Sequence, residues 1–390
     1  MGSAVPDVLI VGGGLAGSLL ALELRQRGAS VTLLEAAPGP RAASATAWSY
    51  GALPGWPLAP TPLARAAARA SRRWWALQCH HGDLGWRRVR ARLLGAAAGP
   101  ALLARLGLLP LAQVDAGVLL TRLPAVLAAA GVEVRVAEAL GLEACGGGCE
   151  AMRSAGWRVR LADGTALEAA RVVLAAGAAC RHLWPGLPQT LQRSWAGVLE
   201  LPGQAPPSRG GVPELLLPGR FQRIGLERRA GALREPAWVV DAGLVPRQGG
   251  AVLGQLSWIA PVGGEAEAAS PAAADGPVPA QAEAWLRQAL LTMDPALQAA
   301  AQRGRGHYRQ VPVAFCLDGL PLAAPVAGAA GLWLFSGFSG GFAQVPVLAP
   351  LLAAAITAES ARPGPATGAL QRLGVWRGAS SGMPSSAAAG

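Results

Sequence analysis

The chain has 390 residues, enough for one large or two ordinary domains around a substantial hydrophobic core. Hydrophobic residues make up 52% of it and charged residues 15%, a composition that excludes global disorder. The formal net charge is +11, but all 34 basic residues are arginine, which indicates compositional bias rather than selection for a polyanion. We therefore expect no nucleic-acid partner.

The N-terminal residues predict a βαβ unit. Residues 7–13 form a short apolar, β-branched run that is typical of a parallel strand buried on both faces. Residues 16–27 follow with helical spacing, and residues 30–35 predict a second strand. A helix between two such strands is the usual connection in a parallel sheet.

The rest of the chain predicts further helices and strands, with a mostly antiparallel sheet over 194–261, where short apolar runs are broken by proline and glycine. Asp163-Gly164 marks a hairpin turn. The other predicted elements are a helix over 119–130, strands over 131–136, 157–161 and 166–174, a loop over 262–280, a helix over 281–302, strands over 308–315 and 331–336, a helix over 343–359, and a tail from Ala361 that is disordered at its end.

Targeting and membrane signals are not expected. The first residues lack the basic region of a signal peptide. Residues 319–358 are free of charge and long enough to span a bilayer. Because glycines and prolines interrupt this stretch, a buried strand, a glycine turn and a buried helix explain it better than a transmembrane segment.

Metal and disulfide chemistry are not expected either. Five scattered cysteines do not suggest a disulfide framework, and Cys145 with Cys149 lacks the second ligand pair of a zinc site. His80, His81 and His182 form no ligand pattern. We therefore expect no metal, and a reducing, cytoplasmic location.

The residues from Gly12 to Gly17 fit the pattern G-x-G-x-x-G, which is weak alone but stronger after a strand and before a helix. Gly12 permits a tight turn, and Gly14 lets the backbone approach a pyrophosphate at the positive end of the helix. Gly17 permits close packing of helix on strand, and Glu35, at the end of the next strand, can accept ribose hydroxyls. These residues predict a dinucleotide site that disfavours a 2′-phosphate; a glycine turn without a ligand is the alternative.

Six segments together resemble the D-amino-acid oxidase / glycine oxidase superfamily of FAD-dependent oxidoreductases, and the resemblance covers nearly the whole chain to about residue 358. They are Gly12 to Glu35, Arg41 to Ala47, Val114 to Val136, Val172 to Ala178, Asp318 to Pro325 and Gly337 to Phe342. The resemblance implies a non-covalently bound FAD. The cofactor-binding residues that it implies, with those of the glycine motif, are Gly12, Gly14, Leu15, Ala16, Gly17, Glu35, Ala43, Ser44, Thr46, Leu140, Ala176, Gly177, Gly337, Ser339, Gly340, Gly341 and Phe342.

The glycine turn at 337–341 also has a physical interpretation of its own. A turn that opens a helix presents backbone N–H groups to a neighbouring anion. Beside a flavin, that anion is the reduced ring, so the turn would raise the reduction potential. The alternative is a turn that only allows tight packing.

The substrate residues are less clearly marked. Amino-acid oxidases of this superfamily hold the substrate carboxylate with an arginine shortly before the Asp-Gly-x-Pro element, and none lies in the five residues before Asp318. Arg309 is the nearest, and with Tyr308 it is our candidate for substrate binding; a surface arginine and a core tyrosine are the alternatives. Cys316 is expected to be a buried free thiol rather than a site of flavin attachment.

Between Thr61 and Leu106 the chain carries nine arginines and one acid, with Trp74, Trp75 and Trp86 interleaved. Arginine with tryptophan can bind single-stranded nucleic acid or an anionic membrane face. Arginine stems packed over tryptophan rings are the favoured, structural alternative.

Taken together, the sequence predicts a two-domain flavoprotein. The first domain is a Rossmann-like α/β FAD-binding domain over 1–81, 109–193 and 311–360. The second is a mostly antiparallel α+β substrate domain over 82–108 and 194–310, and the tail over 361–390 is partly disordered. The expected reaction is oxidation of an amine or amino acid, a small-molecule substrate, by hydride transfer to flavin N5. The alternatives are an enzyme on the same scaffold with an apolar, carotenoid- or prenyl-type substrate, and a flavoprotein tethered to membrane or nucleic acid.

Overall fold

The computed structural model describes residues 5–39, 43–145, 156–204, 208–262, 276–303, 306–358 and 364–377. Its helices are α1 (Leu15–Gln26), α2 (Pro62–Ala67), α3 (Ala70–His81), α4 (Ala98–Arg105), α5 (Ala116–Ala129), α6 (Cys180–Leu183), α7 (Gln222–Arg228), α8 (Pro279–Leu291), α9 (Pro295–Arg303), α10 (Gly341–Thr357) and α11 (Pro365–Arg372). Its strands are β1 (Val8–Val11), β2 (Val31–Glu35), β3 (Ala52–Pro54), β4 (Trp86–Leu94), β5 (Leu111–Val114), β6 (Glu133–Val136), β7 (Ala139–Cys145), β8 (Gly156–Leu161), β9 (Ala166–Ala169), β10 (Arg171–Leu174), β11 (Leu191–Pro202), β12 (Ser208–Arg209), β13 (Val212–Pro218), β14 (Ala237–Arg247), β15 (Gly250–Ile259), β16 (His307–Cys316), β17 (Leu322–Pro325) and β18 (Leu332–Ser336).

The first sheet has six strands in the order β17-β18-β10-β1-β2-β6, and all of them are parallel except β17. Every residue of β1 is buried because both faces of the sheet are covered. Val8 and Ile10 pack in the same core cluster as α1 and α10, whereas Leu9 and Val11 pack against the three-stranded sheet β7-β8-β9. The predicted βαβ unit and Rossmann-like α/β architecture are confirmed.

The second sheet runs in the order β16-β11-β15-β14-β13-β4-β5-β3, with β12 beside β13. Only the pair β4 and β13 is parallel among its described pairings, so the predicted antiparallel sheet is confirmed. Helices α8 and α9 pack on it through Leu286, Leu290 and Leu297. The sheet also takes in β3 and β5, which lie within the ranges that the sequence assigned to the FAD-binding domain.

Two predicted elements are divided in the structure. The helix over 281–302 is two helices, because Pro295 disfavours helical geometry at Asp294 and begins α9 instead. The Asp294 side chain accepts the Ala296 N–H at 2.8 Å and stabilises this break. The strand over 166–174 is β9 and β10, in different sheets, although β8 and β9 do pair across the predicted Asp163-Gly164 hairpin.

Residues 319–358 form strands, a glycine turn and the buried helix α10, as predicted. In the part of the chain that the structure describes, no helix has the length and apolar character needed to cross a membrane. The predicted tail contains α11, which packs on α10 and buries Leu370 and Val375. Its end, from 378 onward, lies outside the described residues, as does most of the predicted 262–280 loop.

Candidate active site

The glycine turn after β1 brings three chain segments together. Gly12 has φ of +106°, and a Cβ there would lie 2.6 Å from the Ala176 Cα at the end of β10. A Cβ on Gly17 would collide with the Gly12 carbonyl, so α1 approaches the strand as closely as the motif predicts. The first turn of α1 therefore lies open to the space above β1, β2 and β10.

Two side chains reach this helix N-terminus. The Glu35 carboxylate accepts the Gly13 N–H at 2.8 Å through Oε2 and the Ala37 N–H at 2.9 Å through Oε1. The Thr46 hydroxyl accepts the Leu15 N–H at 3.1 Å. The loop over 41–47, one of the six segments that carry the resemblance, thus reaches the glycine turn after β1. Arg41 and Ala42, which begin that loop, lie outside the described residues.

A cavity of about 510 Å³ runs from Glu35 to the second sheet. Fifteen of the seventeen residues predicted to bind cofactor line it: Gly12, Gly14, Leu15, Ala16, Glu35, Ala43, Ser44, Thr46, Ala176, Gly177, Gly337, Ser339, Gly340, Gly341 and Phe342. Gly17 lies below it and shapes the turn. Leu140 is not part of the lining and is 43% exposed; its neighbour Ala139 lines the cavity instead, because adjacent residues of a strand face opposite sides.

The second glycine turn also lines the cavity and opens α10, with Gly341 beside Leu15 of α1. Gly337 has φ of +83°, and a Cβ there would lie 2.5 Å from the Cys316 sulfur. Trp74 supports the turn, since its Nε1–H donates to the Phe342 carbonyl at 2.8 Å. The turn therefore packs tightly, and it also presents the N-terminus of a 17-residue helix to the cavity.

Cys316 is 1% exposed, and burial raises the pKa of its thiol to about 11. A buried, protonated thiol is a poor nucleophile for covalent attachment. This environment agrees with the expectation of a buried free thiol.

Arg223 is a charged side chain in the cavity lining. It lies on α7, which packs on β14 of the second sheet. Its Nη2 donates to the Ser339 carbonyl at 2.6 Å, and Nη1 lies 3.3 Å from the carboxylate of Glu227. The backbone N–H groups of Gln222 and Arg223 donate to the Asp241 carboxylate at 2.7 and 2.9 Å. A buried aspartate on β14 thus fixes the start of α7 and aims Arg223 at the glycine turn.

Arg309 and Tyr308 lie elsewhere. Two nitrogens of Arg309 donate to one Glu200 oxygen at 3.0 and 2.7 Å, and its guanidinium packs 5.3 Å from the ring centroid of Trp48. Tyr308 packs across Gly197 of β11 and donates its hydroxyl proton to Gln310 at 3.1 Å. Neither belongs to the cavity lining, although Val311 and Val313 of the same strand do.

The tryptophans of the arginine-rich stretch are mostly turned inward. Trp74 is fully buried, and the Trp86 indole N–H donates to the Ser71 hydroxyl at 3.1 Å. Trp75 is 55% exposed. Two of the three rings are therefore structural.

The sequence did not indicate Arg223, nor the other lining residues Trp48, Ala196, Gln255 and Phe338. Arg223 belongs to no recognisable motif, and its helix has only seven residues. One available signal was Asp241, an aspartate in a strand that is otherwise apolar up to its last residue, Arg247.

A family model described as FAD dependent oxidoreductase (DAO) matches residues 7–109 and 100–355. The chain belongs to this family. FAD is therefore its cofactor, and the donor set fits: the N-termini of two helices, α1 and α10, at the cavity and a carboxylate at the end of β2 are what a flavin dinucleotide requires. The recognition made from the sequence motifs is confirmed.

Solved structures share the fold of this flavoenzyme. Glycine oxidase from Geobacillus kaustophilus is 18% identical, with a TM-score of 0.62 over 92% of this chain and 96% of that one. Iminodiacetate oxidase from Chelativorans sp. BNC1 is 20% identical, with a TM-score of 0.63 over 94% and 98%. L-amino acid deaminase from Proteus vulgaris, lacking its specific insertion, is 16% identical, with a TM-score of 0.59 over 91% and 91%. Comparison with curated proteins finds no match to the sequence.

Proposed function

We propose that this FAD-dependent oxidoreductase oxidises the C–N bond of a small amine that carries a carboxylate, as amino acids do. The observation that carries the proposal is Arg223, a guanidinium that reaches the cavity at the glycine turn opening α10. Arginine binds carboxylates through two parallel N–H donors, which fixes orientation as well as affinity. Arg223 takes the role for which the sequence had offered Arg309.

The cofactor residues have distinct proposed tasks. The first turn of α1, with Gly12 and Gly14, would hold the pyrophosphate, and Glu35 would accept the ribose hydroxyls. Ser44 and Thr46 would bring hydroxyl groups to the phosphates. The N–H groups at the start of α10 would stabilise negative charge on the reduced flavin.

The part of the cavity that the second sheet lines is mostly apolar and favours an uncharged amine. Val311, Val313 and Ala196 line this part, beside the amide of Gln255. Burial in such surroundings disfavours an ammonium ion, so the amine binds neutral and releases its proton to solvent. Bound FAD would supply the oxidising power, as the acceptor of a hydride with its two electrons from the substrate carbon. The resulting imine would take up water and give a carbonyl compound and a free amine.

The relatives in structure support this substrate class through their names, which specify glycine, an L-amino acid and iminodiacetate. An apolar carotenoid- or prenyl-type substrate is disfavoured by two observations. The cavity of about 510 Å³ is shared with the cofactor, and Arg223 brings a partly buried guanidinium to it. A hydrocarbon would shield this charge from water without offering it an acceptor.

We also propose that the six-stranded sheet holds FAD and that the second sheet provides the substrate end, as the predicted domain division implies. Arg223 and Val311 come from the second sheet and its helix α7, and Gly12 and Glu35 from the first. A reducing, cytoplasmic location stays part of this proposal, supported by the free thiols of Cys79, Cys180 and Cys316.

The test compares two arginines in the FAD-loaded enzyme. Substrates are glycine, sarcosine, D-alanine and iminodiacetate, and the readout is kcat/KM with whichever of them reduces the flavin. We expect Arg223→Gln to lower kcat/KM about 100-fold or more, chiefly through KM, since a charged hydrogen-bonding pair is lost. Arg223→Lys should recover part of the loss.

Arg309→Gln is the matched control. Arg309 lies on β16, the strand that also contributes Val311 to the cavity, but its guanidinium is paired with Glu200. It should change kcat/KM by less than about threefold. A larger loss in Arg309→Gln than in Arg223→Gln would contradict the assignment.

A further inference from the structure

A row of leucines projects from the protein surface at α4. Leu102, Leu103, Leu106 and Leu108, which we call the leucine ridge, are between 43% and 63% exposed. Leu102 and Leu106 are four residues apart, so they lie on one side of the helix. Within α4 only Ala104 is buried, and through it the helix lies on β4. Scattered single leucines need no explanation, but four exposed leucines within residues 102–108 do.

Arginines surround the leucine ridge. The Arg90 guanidinium lies beside Gly107, 3.8 Å from the position of a Cβ there. Arg105 is exposed, and its carbonyl accepts a hydrogen bond from Arg209 at 3.2 Å. From residue 84 to residue 114 the sequence contains no acid, and Glu214, the register partner of Arg90 on β13, is the nearest in the sheet. The patch is therefore apolar at its centre and positive at its rim.

Two other arginines of this stretch are already paired. Arg92 donates to the carboxylate of Asp294 at 2.9 Å. Arg87 donates to Gln113 and lies 3.5 Å from the buried Asp115. The positive charge at the rim of the leucine ridge therefore comes from Arg90, Arg105 and Arg209.

We propose that the leucine ridge is a docking surface for an anionic lipid bilayer. Leucines inserted among acyl chains, with arginines at the level of the headgroups, are the arrangement by which interfacial helices bind membranes. The ridge projects outward, which suits insertion into a fluid surface. This surface is a separate feature from the active site, and it does not depend on the proposed substrate.

Two other occupants fit less well. A second copy of the chain would bring its own arginine rim against this one, and like charges repel. Single-stranded nucleic acid binds through exposed aromatic rings, whereas the ridge is aliphatic and Trp74 and Trp86 are engaged inside the protein. Both are outcomes that the experiment distinguishes.

The experiment is co-sedimentation of the FAD-loaded enzyme with vesicles of phosphatidylcholine alone or mixed with phosphatidylglycerol. We expect binding to the mixed vesicles that weakens as salt is raised. Leu106→Ser with Leu108→Ser should weaken it about tenfold or more, because two apolar side chains no longer insert. Arg90→Gln and Arg105→Gln should each weaken it about fivefold.

The matched controls are Leu291→Ser, an exposed leucine at the end of α8, and Arg122→Gln, an exposed arginine on α5. Both should bind vesicles as the unaltered enzyme does, and retained flavin absorption shows that every variant is folded. Absence of vesicle binding would overturn the proposal. So would a dimer in sedimentation that the ridge variants dissociate, or tighter binding to polyuridylate than to the mixed vesicles.

Discussion

Arg223 is surrounded by more negative charge than one guanidinium can neutralise. Glu227 and Asp241 are each 3% exposed, and burial raises the pKa of both carboxyls above their ordinary values. The positive charge of Arg223 lowers the pKa of each carboxyl, but by less than burial raises it. Glu227 Oε1 lies within ion-pair distance of Arg223 but makes no hydrogen bond, because the angle is poor. A substrate carboxylate therefore competes with Glu227 for the same guanidinium.

This competition predicts a pH dependence of ligand binding. Asp241 on β14 and Cys316 on β16 are the other titratable groups that interact with Glu227. A bound carboxylate adds a second anion and raises the pKa of Glu227 further, so binding takes up a proton. Affinity is then full below the pKa of Glu227 in the free enzyme and is lost as pH rises through and above it. That pKa lies above the ordinary 4.5.

The measurement is the dissociation constant of acetate, a carboxylate without an amine, followed by the shift of the flavin spectrum across the pH range. We expect the constant to rise by up to about tenfold per pH unit above the pKa of Glu227, the limit for one linked proton. Glu227→Gln should bind acetate more tightly at neutral pH and with little pH dependence. A variant that keeps the slope of the unaltered enzyme would show that another group is responsible.

At the scale of elements, α7 depends on a partner that is distant in sequence. The strand β14 has a register shift between Val240 and Gly243, and bulges of this kind re-aim side chains. Asp241 lies in the shift and caps the first two N–H groups of α7. Asp241→Ala leaves these part-buried donors without their acceptor, and loss of such a cap costs about 0.5–2 kcal/mol.

We therefore expect Asp241→Ala to lower the urea midpoint of the FAD-loaded enzyme and to weaken acetate binding, while FAD stays bound. Asp163→Ala is the control, since Asp163 also accepts a backbone N–H, from Thr165, but in an exposed hairpin. It should leave acetate binding unchanged. Unchanged acetate binding in Asp241→Ala would mean that the cap does not position Arg223.

The same contrast between local and distant partners explains what the sequence could predict. The βαβ unit, the glycine turns and the hairpin at Asp163-Gly164 depend on neighbours in sequence, and all are confirmed. Arg223 depends on the approach of β14 and α7 to the turn at Ser339, more than a hundred residues away, and no local pattern reports it. The β9–β10 division likewise depends on two different sheets.

At the scale of the whole molecule, the two sheets form one structure around the cavity. A single core cluster includes Val8 and Val173 of the first sheet and Val198, Leu215 and Val252 of the second. The cavity draws its glycine turns from the first sheet and its apolar wall from the second. The cavity therefore lies where these two sheets join, and the proposed cofactor and substrate sites share it.

The most direct test of this account is anaerobic reduction of the FAD-loaded enzyme by glycine and by methylamine. These two amines differ by the carboxylate that Arg223 is proposed to bind, and sarcosine and D-alanine extend the comparison to larger amino acids. We expect the visible flavin bands to bleach with at least one of the amino acids and to persist with methylamine. Bleaching by methylamine as fast as by any amino acid would contradict it, as would flavin bands that no amino acid bleaches.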